Sequence, residues 1–333
     1  MSGAWLPRAP AFASLRPSPP AFENCDAALA RSICALIPGS IDVRRMVTAV
    51  RPPFGYYVVT TNAQKYFAKV LPDMEVGRHI EADEVARYLA DAGISAATLR
   101  GIKKANEYSI VLYDFVPFRF GVCREDDAKK LGVTLGEAHK ALKSAPFGFK
   151  VREQGLKRFA VLFNRLEQIK VPPEFSADFK VLAADLKPAF SEKADAQPIH
   201  GDLNLTNILF PLDLGEPILI DFEDALVSWL PPKLDVAMAL QRLCLVADAT
   251  PADIVAAARA LIGGYVNHAD VRVFEDHRDL QSALLWLSFR SLCLLAELEA
   301  AGADHDVGEW RKFVGLAHRA KRDAPLLKAI VDA

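Results

Sequence analysis

Cysteine is scarce in this sequence, and the cysteines present do not form recognisable pairs. There are five among 333 residues. The count is odd and no two of them form a C-x-x-C spacing, which is a poor basis for a disulfide framework. We therefore expect reduced, mostly buried thiols and a cytoplasmic protein. The five residues are Cys25, Cys34, Cys123, Cys244 and Cys293.

The chain also lacks an excess of one charge and a long uninterrupted apolar run. Forty Lys and Arg residues stand against 42 Asp and Glu, a formal net charge of −2, so no global positive field attracts nucleic acid or an anionic membrane. The most apolar stretch, residues 280–296, contains Gln281 and Arg290 and is typical of a core helix rather than a membrane span. We expect a small-molecule partner, no nucleic acid and no membrane, with the oligomeric state left open.

What the sequence does contain indicates a folded protein of about two domains. Hydrophobic residues make up 51% and charged residues 25% of the 333 positions, enough apolar surface to bury a core. Residues 1–22 are rich in proline and lack the apolar core of a secretory signal, so we expect a flexible arm there. The change of pattern near residue 117 predicts an N-terminal lobe over 23–117 and a helical lobe over 118–333.

The N-terminal lobe has the pattern of an antiparallel sheet with one helix in the order β-β-β-α-β-β, preceded by a helix over 26–37. Runs rich in Val, Tyr, Phe and Ile predict the strands, and 3.6-residue periodicity predicts the helix. The predicted strands are 41–50, 55–61, 65–71, 98–103 and 108–115, and the predicted helix is 75–92.

From about residue 126 the pattern is almost entirely helical. Helices are predicted over 126–142, 151–169 and 177–190, and again from residues 235, 251, 276, 306 and 323. Residues 198–221 interrupt them with a loop and two short strands. A sheet followed by a mostly helical part defines an α+β fold class.

That interruption carries the most informative motif of the sequence. His200, Asp202 and Asn207 have the spacing H-x-D-x-x-x-x-N of a phosphotransferase catalytic loop, and Asp221 begins a D-F-x triplet 19 residues after Asp202. A carboxylate on a rigid loop suits the positioning and deprotonation of a hydroxyl, which we expect of Asp202. Magnesium prefers oxygen ligands, which Asn207 and Asp221 would supply. Glu223 is a candidate for a second metal.

With Gly201 in place, the loop reads H-G-D-x-x-x-x-N-x-L and resembles the aminoglycoside phosphotransferases and choline kinases of the protein-kinase-like superfamily. Residues 131–139 resemble the L-G-x-x-L-x-x-x-H helix of that family, and residues 232–237 are similar to its P-x-x-D-L-A step. The resemblance covers about residues 40–300. It implies a two-lobed protein-kinase-like fold, ATP or GTP with Mg²⁺, and transfer of the γ-phosphoryl group to a hydroxyl of a small molecule.

The same resemblance implies a nucleotide site in the N-terminal lobe. Lys69 lies where a kinase strand carries the lysine that pairs with the α- and β-phosphates. Glu81 or Glu84 of the following helix would orient this lysine; we prefer Glu81, which shares a helical face with apolar residues. Tyr113 and Phe115 belong to the segment 113–116 that would form the hinge next to adenine.

The acceptor substrate is less well defined by the sequence. Residues 221–310 contain fifteen acidic and six basic residues, a balance that favours a cationic acceptor such as an aminoglycoside, choline or another amino alcohol, or that simply reflects solvated helix faces. His200, His139, Asp224 and Asp235 are expected to brace the structure rather than react.

The phosphate-covering segment 51–56 departs from a G-x-G-x-x-G loop because it contains a single glycine, Gly55. Two alternatives therefore stay open. One is a catalytically silent nucleotide-binding module on the same scaffold, and the other is a sugar- or homoserine-type kinase.

Overall fold

The structure is a computed structural model that describes residues 20–48, 52–105, 108–165, 170–186, 195–300 and 307–332. These residues form an antiparallel sheet followed by a larger helical region, which confirms the predicted α+β class. The strands are β1 (Phe22–Asn24), β2 (Ser40–Met46), β3 (Gly55–Thr61), β4 (Lys65–Leu71), β5 (Leu99–Lys104), β6 (Ser109–Asp114), β7 (Phe118–Arg119), β8 (Gln197–Pro198), β9 (Ile208–Pro211), β10 (Ile218–Leu219) and β11 (Trp229–Leu230). The helices are α1 (Ala27–Leu36), α2 (Val76–Asp91), α3 (Glu125–Leu142), α4 (Gly148–Arg165), α5 (Ser176–Leu186), α6 (Lys233–Leu240), α7 (Pro251–Ala269), α8 (His277–Ala300), α9 (Val307–Arg322) and α10 (Ala324–Val331).

The chain divides into two compact units. The sheet unit consists of Ser18–Phe120 and Thr206–Leu226, and the helical unit contains Gly121–Leu205 and Val227–Ala333. The single boundary predicted after residue 117 would assign segment 206–226 to the helical lobe. The structure groups that segment with the sheet because β9 pairs with β7 and because Ala97 N donates to Leu219 O at 2.9 Å. Of the predicted arm 1–22, residues 1–19 lie outside the described residues.

The sheet unit is built on six antiparallel strands in the order β1-β2-β3-β4-β6-β5. Residues of β3 alternate strictly between buried and half-buried, the pattern expected of a strand with one face on a core. The core on one face joins Ile33 of α1 to Tyr57, Val59 and Val70 of the strands. The predicted strands and helices of this region are confirmed, except that the strand predicted over 41–50 ends at Met46 and residues 49–50 lie outside the described residues. The strand β1 is an addition to them.

The helical unit depends on a close crossing of α3 and α7. A Cβ atom built on Gly132 would lie 2.1 Å from Leu261 O, and one on Gly264 would lie 2.6 Å from Lys129 O. Real Cβ atoms do not approach a carbonyl oxygen this closely, so only glycine allows the two backbones to pack at this distance. The L-G spacing noted in the sequence is therefore a packing feature of α3.

Two adjacent glycines of α7 provide a matched test of this crossing. Gly264→Ala is expected to lower the free energy of unfolding by about 1–3 kcal/mol, because the added methyl group forces the helices apart. A Cβ on Gly263 would meet nothing within 4 Å, so Gly263→Ala is expected to be neutral or to stabilise the protein by up to ~1 kcal/mol through helix propensity. Denaturant unfolding of both variants measures the difference; equal effects would contradict the close crossing.

Among the described residues, no helix is long and apolar enough to cross a membrane. The five cysteines are all free thiols, and Cys244 and Cys293 are buried.

Candidate active site

In the helical unit, the segment that contains Asp202 is held by the carboxylate of Asp235. The strands β8 and β11 pair next to it, and Asp235 lies in the first turn of α6. Its Oδ2 accepts from His200 N at 2.8 Å and its Oδ1 accepts from Gly201 N at 3.0 Å. Gly201 has a φ of +83°, in the left-handed region that glycine adopts without strain. Asp235 is thus a loop brace, as predicted.

A buried histidine fixes Asp235 in turn. His139 of α3 lies 3.0 Å from Asp235 Oδ2 through Nε2 and 3.0 Å from the Tyr265 hydroxyl through Nδ1. All three side chains are buried, and burial raises the pKa of Tyr265. The predicted bracing role of His139 is confirmed, and the chain of contacts links α3, α6 and α7 to the backbone of residues 200–201.

Asp202, the predicted base, is half-buried in this braced segment. Its Oδ2 accepts a hydrogen bond from Asn204 Nδ2 at 3.0 Å, and its backbone N–H lies 3.4 Å from His200 Nδ1. A carboxylate with one side held by an amide and partial access to solvent has the geometry needed to accept a proton from a positioned hydroxyl.

In the sheet unit, Asn207 and Asp221 are drawn together by the backbone. Ile220 N donates to Asn207 O at 3.0 Å, at the end of the β9–β10 pair. Asp221 has a φ of +67°, a conformation that is uncommon for a residue other than glycine and that is concentrated at functional sites. Among the described residues, no three His, Cys, Asp or Glu side chains cluster as a metal site. Two hard oxygen donors do fit magnesium, which usually takes few protein ligands and completes its shell with phosphates and water.

The ammonium group of Lys69 contacts the carboxylates of Asp221 and Glu223. It lies on β4, and its Nζ is 3.1 Å from Asp221 Oδ1 and 3.3 Å from Glu223 Oε1. The Lys69 side chain is 13% exposed. Burial lowers the pKa of Lys69, but the charges of Asp221 and Glu223 outweigh it, so the pKa is raised overall and the lysine stays charged.

Glu223 is the centre of a wider network that reaches helix α2. His79 Nδ1 lies 3.0 Å from Glu223 Oε1, and Arg78 Nη2 lies 3.2 Å from Asp224 Oδ1. Burial, and then the charge of Lys69, lowers the pKa of His79 to about 4, so this imidazole is neutral at pH 7. Burial raises the pKa of Glu223. The network holds Lys69 between two carboxylates and anchors them to α2.

The structure also shows where the other residues predicted for the nucleotide site lie. Glu81 and Glu84 are exposed on α2, whereas the ion pairs of Lys69 in the structure are with Asp221 and Glu223. Tyr113 lines a small cleft together with His79, Asp221 and Glu223, and burial raises its pKa to about 12. Phe115 follows β6, and its N–H donates to Lys65 O at 3.1 Å.

Sequence reasoning missed His79, although the signal for it was present. The buried face of α2 consists of Val76, His79, Ala82, Val85, Ala86 and Leu89. Their spacing follows the 3.6-residue period, and counting His79 as part of that period would have placed it on the buried face of α2. Arg242, a buried residue of the helical unit, had no comparable signal in the sequence.

The loop that contains Asp202 and the lysine of β4 are parts expected of a phosphotransferase. The sequence model of the phosphotransferase enzyme family, APH, matches residues 54–271. The match spans more than half of the chain, and the chain belongs to this family as a small-molecule kinase. No curated protein sequence is similar enough to match.

Solved structures agree with the family on the fold. The amicoumacin kinase hAmiN, in complex with AMP-PNP, Ca²⁺ and Ami, is 15% identical with a TM-score of 0.61, and the match covers 91% of this chain and 95% of that one. Choline kinase LicA from Streptococcus pneumoniae is 16% identical with a TM-score of 0.58, covering 89% and 98%. The microcompartment-associated aminopropanol kinase is 16% identical with a TM-score of 0.56, covering 90% and 97%. The predicted protein-kinase-like fold is confirmed.

Proposed function

We propose that this protein transfers the γ-phosphoryl group of ATP or GTP to a hydroxyl of a small molecule, with Asp202 as the base. The observation that supports it most directly is the contact of Lys69 with Asp221, 152 residues apart in sequence and 3.1 Å apart in space. In kinases, a strand lysine grips the nucleotide phosphates and a D-F-G-type aspartate binds the metal. Both residue types are present in the sheet unit, and the lysine is charged.

Each residue of the proposed site has a distinct role. Asp202 accepts the proton of the acceptor hydroxyl and orients it. Lys69 pairs with the phosphates of the nucleotide, next to the cleft lined by Tyr113. Asn207 and Asp221 would hold Mg²⁺, which, when bound, neutralises the charge that develops on the phosphate oxygens. The orienting role assigned to Glu81 or Glu84 and the hinge role of Phe115 stay predictions.

The acceptor substrate is proposed to be a small alcohol with an amine. The acidic balance of residues 221–310 supports a cationic group by Coulomb attraction, and the similar structures include kinases named for choline and aminopropanol. The alternative of a silent nucleotide-binding module has one observation in its favour, the single glycine of segment 51–56. Turnover measurements separate the two.

The proposed role of Lys69 is tested by measuring nucleotide binding. Lys69→Met is expected to weaken MgATP binding by about 10- to 100-fold, the usual loss for a hydrogen-bonded charged group. Lys65→Met is the matched control, because Lys65 is an exposed lysine four residues earlier on the same strand. Titration calorimetry measures both affinities independently of any stability change. Equal affinity in wild type and Lys69→Met would contradict the assignment.

Turnover tests the reaction itself. Wild-type protein with MgATP is expected to release ADP only when an acceptor is added from a panel of aminoglycosides, amino alcohols, sugars and hydroxy-amino acids. ADP formation that depends on one acceptor class would establish the transfer and identify that class. Clear MgATP binding without ADP release for any member of the panel would favour the silent module.

A further inference from the structure

Arg242 is a buried cation of the helical unit and has no assigned role in the proposed reaction. It lies seven residues after Asp235 on the same continuous helical segment, about two turns further along the axis. Side chains on a helix lean toward its N-terminus, so the guanidinium leads back toward the end of the segment where Asp235 holds His200 and Gly201.

The backbone at Arg242 is also unusual. Residues Gln241–Leu245 form a π-helical turn, in which Val246 N donates to Gln241 O at 3.1 Å. Single π-turns cost stability and occur frequently at functional sites. Here the turn continues directly from α6.

Two of the three nitrogens of the Arg242 guanidinium group have no hydrogen-bond partner among the described residues. Arg242 is only 8% exposed, and its Nε and Nη1 atoms are buried without a hydrogen bond partner among the described residues. Leaving buried charged donors unpaired is costly. An arginine that is buried with unpaired donors is therefore suited to bind a group from outside the chain.

The charge of the proposed base acts on Arg242. Burial lowers the pKa of Arg242 to about 10, and the nearby charges of Asp202 and Glu309 act in the opposite direction, so the arginine is still a cation at pH 7. Glu309 is itself paired with Lys312. The Asp202 carboxylate lies within electrostatic reach, yet the Nε and Nη1 donors bond to neither acid.

We propose that Arg242 binds a carboxylate of the acceptor substrate, so that the acceptor is a hydroxy-amino acid rather than a simple amino alcohol. The inference rests on the proposed function, because it places the acceptor hydroxyl at Asp202. A single guanidinium matches a monoanion and bonds well to a planar carboxylate. A dianionic phosphate would be repelled more strongly by Asp202.

Matched acceptor pairs test the proposal directly. Each pair differs by one carboxylate: L-serine and ethanolamine, L-homoserine and 3-amino-1-propanol, L-threonine and 1-amino-2-propanol. ADP release from MgATP is measured for all six, and binding of each to protein with AMP-PNP is measured by calorimetry. For at least one pair, the acid is expected to have a kcat/KM at least tenfold above that of its amino alcohol, with tighter binding.

Variants at Arg242 separate recognition from a structural or positioning role. Arg242→Met is expected to raise KM for the preferred acid by about 10- to 100-fold with kcat changed little, and to abolish the preference within the pair. Arg242→Lys is expected to restore part of it. Removal of an unpaired buried charge is also expected to leave the melting temperature unchanged or higher. Arg259→Met, which removes an exposed arginine of α7, is the control and should keep wild-type kinetics.

The outcomes are distinguishable. If amino alcohols are phosphorylated and the acids are not, or if Arg242→Met keeps the wild-type preference, the carboxylate proposal is wrong while the phosphotransferase assignment stands. A fall in kcat for all acceptors with a shifted pH profile would instead make Arg242 a positioning residue for Asp202 and overturn acceptor binding. If the protein binds no MgATP and releases no ADP with any acceptor, the proposed function is wrong. If none of the acids binds, the Arg242 proposal is wrong on its own.

Discussion

Asp202→Asn is expected to lower kcat by about 10²–10⁴-fold, the range that a positioned acid–base group contributes. Asparagine keeps the size of the side chain and an oxygen that can accept from Asn204 Nδ2, the contact that holds Asp202 at 3.0 Å. The change removes the charge that accepts the proton from the acceptor hydroxyl. KM for MgATP is expected to stay near its wild-type value, because Asp202 is not assigned to the nucleotide.

Steady-state ADP release with the best acceptor of the panel measures the effect. Asp213→Asn is the control, since Asp213 is an exposed carboxylate that accepts from Gly215 N at 3.1 Å and has no role in the proposed reaction. A kcat for Asp202→Asn within a few-fold of wild type would remove Asp202 from its assigned role.

Asp235→Ala is expected to lower the free energy of unfolding by about 3–5 kcal/mol, the range found when one partner of a buried charged cluster is removed. The alanine leaves His200 N, Gly201 N and the His139 imidazole without their shared acceptor, and each buried donor that loses its partner costs free energy. The catalytic segment also loses its anchor, so we expect kcat to fall in the protein that remains folded.

Thermal and denaturant unfolding measure the stability change. Asp253→Ala serves as the control, because Asp253 is an exposed first-turn residue of α7 whose loss should cost less than about 1 kcal/mol. Asp235→Asn retains one acceptor oxygen and is expected to fall between wild type and Asp235→Ala, which provides a measurement if the alanine variant does not fold. A loss below about 1 kcal/mol for Asp235→Ala would show that the brace is not needed.

Regular elements were predictable wherever burial alternates along the chain. The strict alternation of β3 and the periodic apolar face of α2 are properties of local sequence, since one face of each element must contact a core. The strand β1 was not predictable, because its three residues are all exposed and leave no alternation. Its pairing with β2 depends on backbone hydrogen bonds that any residue except proline can form.

The residues of the proposed site also differ in whether the sequence alone could predict them. Asp202, Asn207 and Asp221 lie within twenty residues of one another, so their spacing alone predicted a phosphotransferase loop. The ion-pair partners of Lys69 could not be predicted, because they depend on which carboxylates a distant segment brings to the strand. In the structure Glu223 lies 3.3 Å from Lys69 Nζ.

The sequence by itself determined the α+β class, the family of phosphotransferases and the identity of the motif residues, because those properties depend on local periodicity and on short fixed spacings. Only the tertiary structure decided that segment 206–226 belongs with the sheet, that His79 contacts Glu223 beside Lys69, and that Arg242 is buried with two unpaired donors. These properties depend on contacts between residues far apart in the chain, where burial and charge are set by whichever side chains the fold brings together.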